Sequence, residues 1–207
     1  NKTKIAYSKT LNKGKYDALM QQCEILGTIR SEIWNKFGSI NAIGINPYDI
    51  QKQWVSEKKF EDLPITATAW KKVLSDTLAN IKANYESAKE KIRKDIYQRT
   101  KDKEEQKQLY KLLRYNKWQD NPYLRRKIRQ YWKRGHNHTY NQLIIRSDLF
   151  RQEEKNGTLW ISIPSLVKGK PIWIPLTQSN PLPVKIKGDD TTKGSNLRLI
   201  LKDGIVE

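Results

Sequence analysis

The chain has 207 residues, room for one or two domains, and 40 lysines and arginines oppose 22 acids to leave a formal net charge of +18 with an isoelectric point near 9.8. Such an excess is held against self-repulsion, and a polyanionic partner is the usual reason to carry it. No apolar run approaches transmembrane length and no signal-peptide pattern opens the chain, so the charge points to nucleic acid and away from a membrane.

Taken in chain order, residues 5–11 read as a short strand rich in Ile, Tyr and Thr, broken by Asn12 and Gly14. A helix follows over 15–37, where Leu19, Cys23, Leu26, Ile33 and Phe37 recur at helical spacing and Gly38 is placed to cap it. Cys23 is the only cysteine, which rules out an internal disulfide or a Cys-based zinc site, and its place on the apolar face predicts a buried thiol. After a Gly/Asn/Pro loop, a short helix is predicted over 48–56, ended by Leu63-Pro64. Thr66 or Thr68 then caps a long helix, along which Trp70, Leu74, Leu78, Ile81, Tyr85, Ala88, Ile92 and Ile96 step by three or four residues. Two more helices are expected, roughly 104–117 and 122–133, with Pro122 in a first turn. Gly135 ends the helical half. Five strands are then read at 143–150, 158–163, 171–177, 183–187 and 196–206, and Asn156-Gly157 is a hairpin signal. Five short strands joined by such turns predict a small barrel or sandwich, which the strand near Ile5 joins. Seven Trp, ten Tyr and three Phe supply enough core to exclude a disordered chain.

The densest chemical feature is 111–134. Lys111, Arg114, Lys117, Arg125, Arg126, Lys127, Arg129, Lys133 and Arg134 face a single acid, Asp120. Interleaved with them are Tyr110, Tyr115, Trp118, Tyr123, Tyr131 and Trp132. Cations neutralise phosphates and release counterions, while flat rings stack on bases or riboses. About half of these aromatics are expected to serve the core instead. Lys111, Arg114, Lys117, Trp118, Arg125, Arg126, Arg129, Trp132, Lys133 and Arg134 are therefore the candidate nucleic-acid-binding residues. His136 and His138 form a His-x-His pair, but no third ligand accompanies it, and contact with phosphate or solvent is the plainer reading. Glu153-Glu154 and Asp189-Asp190 are adjacent pairs whose members point to different faces. A two-metal nuclease needs carboxylates that converge from separate elements on ions about 4 Å apart. No catalytic residue, phosphate loop or nucleophile turn is assigned.

Several stretches resemble TnpB proteins, the transposon-encoded RNA-guided nucleases related to type V CRISPR effectors. Tyr7-Ser-Lys-Thr-Leu11, Leu26-Gly-Thr-Ile-Arg30 and Ile33-Trp-Asn-Lys-Phe37 resemble their opening strand and helix. Leu63-Pro-Ile65 and the helix containing Ala79-Asn-Ile-Lys-Ala-Asn-Tyr85 resemble their recognition lobe. Gly157-Thr-Leu-Trp-Ile-Ser-Ile163, Ile172-Trp-Ile-Pro-Leu176 and Gly194-Ser-Asn-Leu-Arg-Leu-Ile-Leu-Lys-Asp-Gly204 resemble the strands of their wedge domain. The resemblance implies an α+β fold in which a helical recognition lobe (15–135) is inserted into a small wedge-like, OB-like β-barrel (1–14 and 136–207). It implies guide RNA and target DNA as partners, in a prokaryotic intracellular setting near the nucleoid. In such complexes base pairing reads most of the sequence, while protein reads backbone shape and a short flanking motif. Thr66, Thr68, Lys71, Lys72 and Ser75 are the candidates for that motif.

The chain begins with Asn1 and ends at Glu207 after a strand-like stretch, so the expectation is a piece of a longer protein. The family's RuvC nuclease domain would follow Glu207, on this chain or on another, and magnesium would belong there; no cofactor is assigned to this chain. Two other readings stay open: a stand-alone RNA-binding or repressor module, and the nucleic-acid-gripping subunit of a split nuclease.

Overall fold

A computed structural model describes residues 5–178 and 196–207. Among them are five α-helices: α1 (Lys13–Phe37), α2 (Pro47–Ser56), α3 (Ala67–Arg99), α4 (Lys103–Arg114) and α5 (Pro122–Tyr131). Six strands follow, β1 (Gln142–Ile145), β2 (Arg151–Lys155), β3 (Thr158–Ile163), β4 (Ile172–Pro175), β5 (Leu197–Lys202) and β6 (Ile205–Val206). The class is α+β, and the five helices lie where periodicity and capping residues place them. Thr66 Oγ1 accepts from the Ala69 N–H at 3.3 Å, Asp102 accepts from Glu104 N–H at 2.9 Å, and Asn121 accepts from Leu124 N–H at 3.0 Å. Each bond satisfies a helix N–H that has no partner inside its own helix. Gly38 does follow α1, but its reason is space: a Cβ there would collide with the backbone and ring of Trp34.

The chain forms two compact units. One draws on Asn1–Arg30, Gln51–Leu74 and His138–Glu207, the other on Ser31–Ile50 and Ser75–Asn137. The first part of α1, the second half of α2 and the start of α3 group with the strands. Helical periodicity shows that a face is buried but not what buries it.

In the β-rich unit two antiparallel sheets form, with strand orders β1-β5-β6 and β2-β3-β4. Neither closes into a barrel among the described residues. Asn156 and Gly157, at φ of 50° and 69°, turn β2 into β3 as the sequence signal requires. Three strand expectations are corrected. The stretch 196–206 is a hairpin, because Asp203 and Gly204 (φ 50° and 81°) turn β5 back onto β6. The stretch 143–150 is strand only to Ile145. Beyond it Leu149 N–H reaches Arg146 O at 2.9 Å and Arg146 grips Asp148, so the chain bends, and the polar Arg151–Lys155 becomes an edge strand instead. Among the described residues the segment 5–11 makes only one bridge, Ser8 with Leu176. It nevertheless bonds both sheets. Lys9 N–H donates to Pro175 O and Ser8 N–H to Val206 O, both at 2.8 Å. The strand expected at 183–187, and Asp189-Asp190, lie outside the described residues.

Arg30 is buried and donates to the carbonyls of Thr139 (3.1 Å) and Gln142 (2.8 Å), fastening α1 to the entrance of β1. One turn earlier Gly27 lets Tyr140 lie against the helix backbone: a Cβ there would stand 2.5 Å from Tyr140 Cδ1. Burial pushes the Cys23 thiol up to about 12, so it is an inert core group.

In a helix interior Gly→Ala ordinarily stabilises by about 1 kcal/mol. Here Gly27→Ala is expected to lower thermal stability, and adding Tyr140→Ala should recover most of the loss. A Gly27→Ala variant as stable as wild type by calorimetry would rule out the close contact.

Candidate nucleic-acid interface

The helical unit contains an apolar core built from three helices. Tyr85, Ala88, Ile92 and Ile96 of α3 meet Leu109 and Leu113 of α4, Leu124 and Ile128 of α5, and Trp118 and Trp132 from the connections. Leu109/Leu113 and Leu124/Ile128 are both four-residue steps, so each short helix turns one narrow stripe inward. Positions off that stripe are half-buried, as Tyr110, Leu112, Tyr123, Lys127 and Tyr131 are, or exposed. Lys111, Arg114, Lys117, Arg125, Arg126, Arg129, Lys133 and Arg134 are all exposed.

On α5, Arg125 and Arg129 are four apart and share a face, and Arg126 and Arg129 are three apart, all clear of the Leu124/Ile128 stripe. On α4, Lys111 and Arg114 line a groove of about 460 Å³ together with Lys103, Lys107, Tyr110 and Tyr115. Lys103 and Lys107 were not among the sequence candidates. Their i, i+4, i+8 spacing with Lys111 was the available signal. Tyr115 is the exposed ring of this segment, with the Arg114 guanidinium 5.7 Å from its centroid. Arg134 is held in place by Asn35, whose backbone and side-chain oxygens both accept from it.

The two tryptophans depart from the expectation. Trp118 is 1% exposed and Trp132 6%, so neither offers a face to a base. Trp118 Nε1 donates to Tyr85 Oη at 3.0 Å, and Trp132 lies on the Tyr85 ring with centroids 4.3 Å apart. Spacing along the chain cannot separate a stacking ring from a core ring. Lys127 is also withdrawn from the cationic face. It pairs with Asp95 of α3 at 2.5 Å, and Tyr131 donates to the same carboxylate at 2.9 Å. Burial alone would raise the Asp95 carboxyl, but these two hydrogen bonds outweigh it and hold the group below the usual carboxylate range. The Asp95 hydrogen bond in turn raises Lys127. Arg99 stacks on Tyr123 at 4.2 Å beside them.

The flanking-motif candidates divide between the units. Thr66 is exposed, with its hydroxyl engaged as a cap; Thr68, Lys71 and Lys72 are half-buried; Ser75 is exposed. The Lys71 ammonium rests 5.7 Å from the centroid of Trp70 and does not project freely outward. His136 and His138 are both exposed. Among the described residues no three potential metal ligands cluster.

The exposed set is thus made of donors only. Guanidinium and ammonium groups suit phosphate oxygens. Comparison of the chain with protein-family models, curated proteins and solved structures returns no match.

The Asp95–Lys127 pair makes stability depend on pH. A depressed carboxyl contributes above its unfolded pKa and loses that contribution as pH falls through the folded value. A raised lysine contributes below its unfolded pKa and loses it as pH rises through the folded one. The stability gap between wild type and Asp95→Asn should be flat from roughly pH 5 to 9 and narrow on either side. Urea denaturation across that range checks it; a gap independent of pH below about 4 would count against the pair.

Proposed function

We propose that this chain binds nucleic acid, and that it does so as the wedge and recognition portion of an RNA-guided DNA endonuclease of the TnpB and type V kind. The observation that carries the binding is the outward cationic surface of α4, α5 and the segments next to them: eight exposed lysines and arginines, from Lys111 to Arg134, against one acid in that stretch. Charge of this density, fixed on short rigid helices, suits an RNA or heteroduplex backbone, which presents phosphates on a regular spacing. On this reading the helical unit grips guide RNA and the guide–target heteroduplex. The β-rich unit is the wedge, and bonding of residues 7–11 to both sheets supports a barrel-like arrangement of the OB kind. The start of α3 meets the DNA that flanks the target.

Catalysis would come from a RuvC domain with its own magnesium ions, on this chain or a partner chain. No helix among the described residues is long and apolar enough to cross a membrane. A stand-alone RNA-binding module would share the cationic face but show no preference for DNA flanking a guide-matched target.

Replacing Arg125, Arg126 and Arg129 with Ala should reduce the slope of log affinity against log salt by about one per lost phosphate contact, up to about three. These side chains are exposed, so the fold should be kept. Unchanged affinity and slope in a folded triple variant would remove α5 from the interface.

The flanking-motif assignment has its own test. In the guide-loaded protein, Lys71→Ala with Ser75→Ala should relax or shift the preferred flank in a randomised duplex library while guide-RNA affinity stays within about twofold. An unaltered preference would dismiss this face.

A further inference from the structure

We infer that the open face of the β2-β3-β4 sheet is a second nucleic-acid site, one that takes unpaired nucleotides by stacking their bases on Trp160 and Trp173. The proposal rests on the reading of this chain as a nucleic-acid binder and extends it to a different unit and a different chemistry.

Strand alternation creates the face. Leu159, Ile161 and Ile163 of β3 and Ile172 and Ile174 of β4 are buried on one side. Trp160 and Trp173 therefore emerge on the other, and both remain half-exposed. Trp160 is opposite Pro175, and Ser162 is opposite Trp173, so the two rings are diagonal neighbours on adjacent strands. Such a diagonal spans roughly 7–8 Å, room for two rings to act side by side. A sheet that presents aromatic rings in this way is a general solution for holding splayed-out bases.

The surroundings select the occupant. Lys15 Nζ lies 5.3 Å from the centroid of Trp160, and Lys155 Nζ lies 4.7 Å from that of Trp173. Lys15 also donates to Trp173 O at 2.9 Å, and Lys9 to Thr158 Oγ1 at 3.1 Å, which holds both ammonium groups at the edge of the face. Beside Trp173 opens a groove of about 580 Å³, lined in part by Arg151, Lys168 and Lys170, all exposed. Two cations thus lie over the rings, and four more, Lys9, Arg151, Lys168 and Lys170, lie on the neighbouring strand positions and groove. The acid on this face is Glu153, already paired with Lys155 at 3.3 Å.

A bland account is available, in which the lysines simply cover the rings. A cation over an exposed ring is a weak cover, and a stacked base is a stronger one, so an incoming base displaces it. The displaced ammonium groups are then free to meet the phosphates on either side of that base. A duplex keeps its base faces stacked inside and cannot use the rings. A proline-rich peptide would fill an aromatic groove but has no use for six cations. Charge complementarity therefore commits the face to single-stranded nucleic acid.

The test uses the whole chain labelled with 5-fluorotryptophan, with Trp160→Phe and Trp173→Phe assigning two of the seven resonances by fluorine NMR. Three probes are titrated: an oligouridylate of about eight nucleotides, an abasic strand of the same length, and a hairpin RNA. The oligouridylate should shift both assigned resonances, and the abasic strand, equal in charge, should not. It should do so equally well in the Arg125/Arg126/Arg129 alanine variant. Trp160→Leu with Trp173→Leu should weaken oligouridylate binding at least about tenfold and hairpin binding by less than about twofold. The single Phe variants, which keep an aromatic ring in place, guard against a folding artefact. Static Trp160 and Trp173 resonances while the hairpin still binds would overturn this inference and leave the general reading intact. Failure of every probe to bind would overturn both. Resonances that move with a proline-rich peptide and not with the oligouridylate would reassign the face to a protein partner and also overturn it.

Discussion

Tyr85 uses one hydroxyl twice, donating to Asn116 Oδ1 at 2.8 Å and accepting from the Trp118 indole at 3.0 Å. Its ring meanwhile lies on Trp132, and the Lys89 ammonium is 4.7 Å from its centroid. Asn116 carries a φ of 58°, a conformation most side chains avoid, at the point where the chain leaves α4. A buried indole N–H left without an acceptor costs roughly 1–3 kcal/mol, so the Tyr85 oxygen largely decides how that turn is held. Burial raises the phenol to about 12, which keeps the hydroxyl proton available as a donor. The orientation of α4 and α5, and with it the outward display of the cations, follows from this anchorage in the core.

That display is costly to hold together. Exposed cations repel one another, and a protein with a net charge of +18 has few local acids with which to soften the field. The helical unit answers with apolar stripes that leave α4 and α5 little freedom to rotate, and with paired acids, Asp95 among them. Asp95 takes Lys127 and Tyr131 at once and brings α5 against α3 without neutralising any of the exposed arginines. The remaining cations of residues 111–134 stay exposed.

The β-rich unit solves a different problem. Its strands are four to six residues long except β6, which has two, and such strands hold few hydrogen bonds each. Residues 7–11 compensate by bonding to the end of one sheet and the hairpin of the other before the chain enters α1. The two surfaces proposed to bind nucleic acid therefore differ in kind. The α4–α5 face offers guanidinium and ammonium donors whose tryptophans are spent on the core, which suits a backbone. The β2-β3-β4 face offers two half-exposed indoles ringed by lysines and arginines, which suits bases.

The helices and the hairpin at Asn156-Gly157 were legible in the sequence because their causes are local. A repeat of three or four residues, a capping oxygen or a left-handed turn acts within a few bonds of where it is written. The same holds for the net charge and the crowding of cations between Lys111 and Arg134. The second hairpin was equally legible at Asp203-Gly204 but was hidden inside an apolar run that looked like one strand. What only the tertiary structure decided was the use of each residue across long separations. Trp118 and Trp132 belong to the core because Tyr85, some thirty residues or more away, receives them; Trp160 and Trp173 stay half-exposed because alternation puts isoleucines on the other side of the sheet and lysine side chains lie over the rings. Lys127 is spent on Asp95, while Arg125 and Arg129, on the same helix, are not. A side chain's type is written in the chain, but its exposure depends on which distant element packs against it, and that is settled only when the core forms.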